Sequence, residues 1–513
     1  MPSAGPIARS FERRLLRPSV SIEASAIDER RASGSHVVRN ALWLVLAQAI
    51  VTPVSILVNA IAARSLGAVD FGQLFLATAI ASFALIFVEW GQAGALTGKV
   101  AVDRARAGQL LGSGIAWRVM TGALVLIVVP VGLLLLGYER DLIVVVILAM
   151  TVALLVTVAS ACQDVFRGFE RTDFAATTYV AWQLLIAAVS VPVLLMGGGI
   201  EMFLGAQVAC AAIGALVVLR MLPAMRVPKL SVQWATIKEL FATGRGFFAF
   251  ALILALQPMI DAAMLSHFGS PESMGWFGAA RKLVGILVYP ASALVVALYP
   301  TLCRLHNENP SLFRRTAADA FHLCTLAVMP VALGCALFPQ IGITIFSESE
   351  YAPAEANLRV LAIYLFLVYF SMPIGTCLTS IGKQSLWALV QFACVIVSVV
   401  CDPVLIPWFQ AKTGNGGLGV CVAIVLSEIL MVAVGLYLIP KGILDAALGR
   451  RLGLSLLAGV AMAIAALTLG AFDVNVFVSA TLSVLAYALV LLALRAVDLS
   501  ELKALVGSLR RSA

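Results

Sequence analysis

The chain has 513 residues, of which 61% are hydrophobic and only 12% charged, with a mean hydropathy of +1.01. A soluble domain carries about 25% charged residues, so this composition excludes an ordinary soluble enzyme and indicates a chain that crosses a membrane many times. The formal charge of +8 does not call for nucleic acid, because the basic residues sit in short gaps between apolar segments, where topology and anionic lipid account for them.

Residues 1–37 carry Arg9, Arg13, Arg14, Arg17, Arg30 and Arg31 among four acids, and Pro18 interrupts any helix there. No short apolar run with a cleavage site follows, so this stretch reads as a disordered basic cytoplasmic tail touching lipid rather than a signal peptide. From residue 38 about fourteen apolar stretches follow, each long enough to cross a hydrocarbon core of ~30 Å. The first six are expected at 38–65, 73–98, 111–136, 141–162, 174–196 and 200–220. The next six are expected at 240–266, 275–302, 316–338, 356–380, 385–408 and 417–439, and the last two at 452–470 and 475–495.

Alternate gaps differ sharply in charge. One set holds Lys99, Arg104 and Arg106, then Arg167 and Arg171, then Arg220, Arg226, Lys229 and Lys238. It continues with Arg304, Arg314 and Arg315, Lys383, Lys441, Arg450 and Arg451, and both tails. The other set holds little beyond Arg64, Arg140, Arg359 and Lys412. The positive-inside rule then puts both termini in the cytoplasm of a bacterial inner membrane.

The chain also repeats itself. Asn59–Gly67 (NAIAARSLG) and Asp261–Gly269 (DAAMLSHFG) occupy the same place in successive six-span units, each followed by a glycine-bearing turn. An even offset in helices gives both units one orientation, a parallel repeat about the membrane normal. The expected organisation is an N-lobe (38–220), a cytoplasmic linker (221–239), a C-lobe (240–439), two extra spans (440–495) and a cytoplasmic tail (496–513). Two such lobes with substrate between them form an alternating-access transporter.

Ionisable groups at membrane depth are costly and face a cavity or a partner. Arg281 and Lys282 lie in span 8, roughly 10 Å below the outer surface, with side chains diverging by about 100°. Asp261 sits at similar depth in span 7, so the cations either contact a phosphate or pair with this acid. In the first half Arg118 and Glu89 lie at matching depths and either pair or line the cavity. Arg64, near the outer surface, is a cavity cation or a snorkelling side chain. Arg359 follows Glu348, Glu350 and Glu355 and reads as half of a surface ion pair. Glu428 has no evident basic partner and either carries a coupling proton or is simply protonated and hydrogen-bonded. Gln48, Asn59, Gln92, Gln257 and Gln391 offer amides either to sugar hydroxyls or to neighbouring helices. Pro53, Pro192, Pro258, Pro290 and Pro373 fall within spans and are expected to kink them. The four histidines lack metal-ligand spacing, the nine cysteines include no CxxC, and no nucleotide-binding fingerprint is present, so neither metal nor cofactor is expected.

Several stretches carry a family likeness: Arg39-Asn40-Ala41, the turn Leu66–Gly72 (LGAVDFG), Gly275–Leu305, and Asp402-Pro403-Val404-Leu405-Ile406-Pro407. Through them residues 38–495 resemble the O-antigen (Wzx-type) oligosaccharide flippases of the multidrug/oligosaccharidyl-lipid/polysaccharide (MOP) exporter superfamily. The family often has asparagine at the position of Asp402. The resemblance implies an all-α polytopic fold and movement of a polyprenyl-pyrophosphate-linked oligosaccharide for O-antigen, capsule or exopolysaccharide synthesis. It implies no enzymatic activity, and a drive from membrane potential or an ion gradient. Membrane lipids, a polysaccharide polymerase and chain-length machinery would be partners. By likeness to lipid II flippases, Lys282 matches a cation position in a basic cavity, and spans 13 and 14 form a groove for the lipid tail. A lipid II flippase and a drug/cation antiporter are the alternatives within the superfamily. A polytopic glycosyltransferase or polymerase is the alternative outside it, and the short loops speak against that.

Overall fold

Inside the bilayer no water pairs the backbone, so apolar runs this long form helices. The computed structural model describes residues 19–347 and 349–494, with the backbone alone for 19–42, 44 and 45. Helix runs through Ser19–Glu89 and is broken at Gly67 (φ 77°, ψ 175°) into α1 (19–66) and α2, which resumes beyond Trp90 and Gly91 as Gln92–Val102. The remaining N-lobe helices are α3 (Ala107–Leu135), α4 (Arg140–Gly168), α5 (Thr172–Leu195) and α6 (Ile200–Met221). The C-lobe holds α7 (Trp234–Phe268) and α8, which runs Pro271–Leu287 and restarts as Tyr289–Glu308. It continues with α9 (Pro310–Leu337), α10 (Ala354–Ser380), α11 (Gln384–Thr413) and α12 (Gly417–Leu438). The chain ends with α13 (Ala446–Ala471) and α14 (Val476–Ala493).

Thirteen stretches are long and apolar enough to cross a membrane, and the first, Leu46–Val102, contains both α1 and α2, so the described chain makes fourteen crossings. Large apolar side chains such as Leu124, Ile127 and Val131 on α3 are exposed around the bundle, as a lipid-facing belt requires. Helix begins at Ser19, well before residue 38, so part of the expected disordered tail is helical. The Ala-, Glu- and Arg-rich sequence from Ser19 onward favours helix. Residues 1–18 and the C-terminal tail 496–513 lie outside the described residues.

The two copies of the repeat meet at the end of the bundle away from the basic loops. Gly275 packs so closely on α2 that a Cβ there would lie 2.0 Å from the Ala68 carbonyl oxygen. Phe75 and Phe277 meet edge to face at 5.7 Å beside this contact. A strap between α9 and α10 covers it. The Glu350 carboxylate accepts from the Ala68 amide at 2.5 Å, and the Trp276 indole donates to the Glu350 carbonyl at 2.8 Å. The Tyr351 hydroxyl donates to the Ala63 carbonyl at 3.3 Å. Burial, and next the Glu350 charge, pushes the Tyr351 phenol above its ordinary value, so it stays a donor.

At the basic end α7 leaves its own lobe. Glu239 bonds Lys99 at 2.7 Å and Arg106 at 2.8 Å, and Trp90 stacks between Phe241 (4.3 Å) and Phe248 (3.9 Å). The segment before α7 is docked rather than free, with the Gln233 amide donating to Ser113 Oγ at 3.1 Å. Farther along, α7 rejoins the C-lobe, where Gln257 donates to Ser398 Oγ at 3.2 Å. Helices α13 and α14 pack on the outside of α9 through Met329, Met462 and Tyr487. Tyr487 donates to the Leu326 carbonyl at 3.0 Å, and Arg451 pairs with Asp319 at 2.7 Å.

Candidate functional site

A cavity of ≈ 390 Å³ lies within the C-lobe, walled by α7, α8, α10, α11 and α12. Its polar lining comprises Arg281, Glu428, Gln257, Gln391, Tyr364 and the hydroxyls of Ser371, Thr376 and Thr379. Arg281 is half-buried, with its guanidinium carbon 5.0 Å from the centre of the Tyr364 ring, a distance at which the π face attracts the cation. Glu428 accepts a hydrogen bond from Ser371.

Two carboxylates are buried in the same lobe, Asp261 near Arg281 and Asp402 near Asp261. Asp261 is 1% exposed and Asp402 is fully buried. Asp261 feels the charges of Arg281 and Asp402 and bonds Ser398, but no ion pair closes between it and Arg281 or Lys282. Neither oxygen of Asp402 has a hydrogen-bond partner among the described residues. The arginine therefore has an acid at its back and an open cavity in front. A bidentate donor in that position suits a phosphate or carboxylate group.

Lys282 goes elsewhere. Its ammonium donates to Asn59 Oδ1 on α1 and lies 5.4 Å from the centre of the Phe71 ring, on the interface between lobes rather than in the C-lobe cavity. Adjacent residues on a helix diverge by about 100°, and here that divergence sends the two cations to different faces of α8.

Arg118 is fully buried in the N-lobe. It donates to the Thr157 carbonyl, to Gln92 Oε1 at 3.3 Å and to Ser160 Oγ at 3.3 Å, and lies 4.0 Å from Asp164. Asp164 also pairs with Arg167 at 2.8 Å. Glu89 accepts from Thr157 Oγ1 at 2.6 Å and forms no ion pair with Arg118, so of the two readings for Arg118 and Glu89 the pair does not form, and Arg118 approaches Asp164 instead. The reason is length. Helix α4 runs to Gly168, beyond the expected end at 162, and carries Asp164 into the bundle. That acid passed unnoticed in the sequence because it fell just outside the expected span. Arg64 donates to the carbonyls of Thr344 at 2.7 Å and Phe346 at 3.0 Å, so it holds the strap at the far end of the bundle. Arg359 pairs with Glu355 at 3.7 Å on the surface, while Glu348 lies outside the described residues.

A second cavity, of ≈ 550 Å³, lies within the N-lobe between α1, α4, α5 and α6. Among the described residues no group of three or more His, Cys, Asp or Glu side chains is arranged to hold a metal ion.

Known proteins with this architecture move molecules across membranes. The structure superposes on the lipid II flippase MurJ in an inward closed conformation with a TM-score of 0.68 at 12% identity, covering 88% of this chain and 98% of that one. It superposes on an inward-facing multidrug resistance MATE family transporter of the MOP superfamily with a TM-score of 0.57 at 15% identity, covering 81% and 99%. At these identities the likeness shows the fold. A curated relative, an uncharacterized membrane protein of Methanocaldococcus jannaschii, is 21% identical over 276 residues. That match takes in 52% of this chain, and the chain spans about half (54%) of the relative's length. The MatE family model matches residues 247–404. The polysaccharide biosynthesis protein model matches residues 37–306, more than half of the sequence. With fourteen crossings in an arrangement like that of MurJ and the MATE transporter, the chain belongs to the polysaccharide biosynthesis protein family.

Proposed function

We propose that this protein is an inner-membrane flippase that carries a polyprenyl-pyrophosphate-linked oligosaccharide from the cytoplasmic to the outer face for O-antigen, capsule or exopolysaccharide synthesis. The observation that carries this reading is Arg281: a cation with no closed ion pair, lining a cavity whose other polar groups are amides, hydroxyls and the Glu428 carboxylate, which accepts from Ser371. A diphosphate needs fixed positive charge in a low-dielectric space, where attraction is strong. The sugars need amides and hydroxyls, and the tail can remain in the bilayer. The charge asymmetry of the loops supports cytoplasmic termini. Membrane potential or an ion gradient would supply the drive, and a polymerase with its chain-length machinery would use the product.

Glu428 in the cavity wall, with the buried acids Asp261 and Asp402 elsewhere in the same lobe, favours a second reading, a cation-coupled drug antiporter. One experiment separates the two. In a deletion strain lipid-linked oligosaccharide should build up on the cytoplasmic face, and wild type, but not Arg281→Ala, should clear it. Unchanged lipid-linked oligosaccharide with altered drug sensitivity would replace the flippase by the antiporter.

A further inference from the structure

The N-lobe cavity has the chemistry of a binding site rather than of a packing gap. At ≈ 550 Å³ it falls within the range of small-molecule sites, about 300–1,000 Å³. Its wall combines two aromatic rings on α5, Tyr179 and Trp182, with three carboxamides from three helices, Gln48, Gln163 and Gln183. Trp182 packs closely on α6 because residue 214 is glycine, and a Cβ there would lie 2.2 Å from the indole ring. Gln48 donates to Thr52 Oγ1 at 2.9 Å, and Gln163 donates to Thr178 Oγ1 at 3.3 Å. Each amide thereby has a fixed orientation, and its carbonyl oxygen accepts no bond among the described residues.

The charge balance narrows the ligand. The one cation in the lining, Arg167, is already paired with Asp164 at 2.8 Å, so the cavity presents no free charge to an anion. An apolar ligand would bury the amides without partners, which is costly. A neutral polyhydroxyl ligand fits both surfaces. A pyranose offers an apolar C–H face to a flat ring, and hydroxyls that donate to and accept from carboxamides.

Position agrees with this. Tyr179 lies near Gln183 and near Tyr289 of the other lobe, which begins the second segment of α8. The same α8 contributes Arg281 and Val295 to the C-lobe cavity.

We propose that the N-lobe cavity is the glycan subsite, which seats a pyranose on Trp182 and Tyr179 and bonds it through Gln48, Gln163 and Gln183. This rests on the flippase reading and divides its cargo, with sugar in the N-lobe and diphosphate at Arg281 in the C-lobe.

The test uses full-length protein in liposomes and two probes: polyprenyl pyrophosphate without sugar, and the lipid-linked oligosaccharide extracted from the deletion strain. Trp182→Ala and Gln163→Leu should slow movement of the oligosaccharide lipid about tenfold more than that of the bare lipid, the scale of losing a stacked ring or a buried hydrogen bond. Arg281→Ala should slow both alike. Gln183→Ala, at a partly exposed position, and Tyr179→Phe keep the test open should Trp182→Ala fold poorly. Gln183→Ala should show the same preference, and Tyr179→Phe, with its ring intact, a weaker one. Equal losses on both lipids, or none on either, would overturn the subsite while leaving the flippase standing. Wild type moving neither lipid would overturn the flippase reading and the subsite with it.

Discussion

Each lobe places an arginine at membrane depth, and the two are held in opposite ways. Arg118 is closed in by Thr157, Gln92, Ser160 and Asp164 and has no exposed surface. Arg281 rests on a ring, has an acid behind it and faces a cavity. A buried charge with all its neighbours inside the protein is a structural element. One left short of partners at a cavity wall is available to a ligand. Intramembrane charge alone, therefore, does not mark a site. Opening onto a cavity does.

The sharpest way to break this contrast is to remove each arginine. Arg118→Ala should empty the buried site bonded by Thr157, Gln92 and Ser160, leave Asp164 with Arg167 alone and cost about 3 kcal/mol of stability, read as a collapse in folded yield or unfolding midpoint in detergent. Arg281→Ala should leave that midpoint within about 1 kcal/mol of wild type, as expected where no closed pair is broken, yet abolish transport. Equal losses of stability would erase the distinction. Next in size is a repair. In Arg118→Leu with Asp164→Leu the ion pair gives way to apolar packing, and such exchanges are often neutral. Most of the stability lost in Arg118→Ala should return, whereas a double mutant as weak as the single would show that Arg118 serves more than its pair. Lys282→Met removes one bond between lobes, to Asn59. It should shift the balance between conformations, detectable as altered protease access to the strap, with a transport loss smaller than that of Arg281→Ala. The smallest effect belongs to Arg359→Ala. Its 3.7 Å pair with Glu355 is solvent-facing, and such pairs contribute little, so transport and unfolding should both match wild type.

The architecture could be read from the sequence because the bilayer leaves few choices. Long apolar runs become helices, and the alternation of basic loops orders them. The turn after Asn59–Gly67 proved to be the break at Gly67, and its counterpart at Gly269 proved to be the end of α7, with Ser270 capping α8. Pro53, Pro192, Pro258 and Pro373 lie inside helices, and α8 is interrupted beside Pro290. The division of labour among charges was less legible, since it depends on rotation and on a few residues of helix length. Arg281 and Lys282 share a depth but not a direction. Asp164 entered the bundle because α4 outran its expected end. The N-lobe cavity draws on residues far apart in sequence, from Gln48 to Gly214, whose convergence no local pattern announces.

Helix α7 has a further consequence for motion. Its first half is fastened to the N-lobe through Glu239, Phe241 and Phe248, and its second half to α11 through Gln257. A rigid see-saw of two six-helix blocks is therefore mechanically blocked, since one strut is bolted to both. Opening the basic end requires either unstacking Trp90 or bending the strut. Pro258 is the weak point for bending, because its ring nitrogen donates no hydrogen bond to the preceding turn. The energy to swing the lobes apart is then concentrated in one flexing helix and one aromatic clasp, so the rate of the transport cycle should follow changes there even though neither touches cargo.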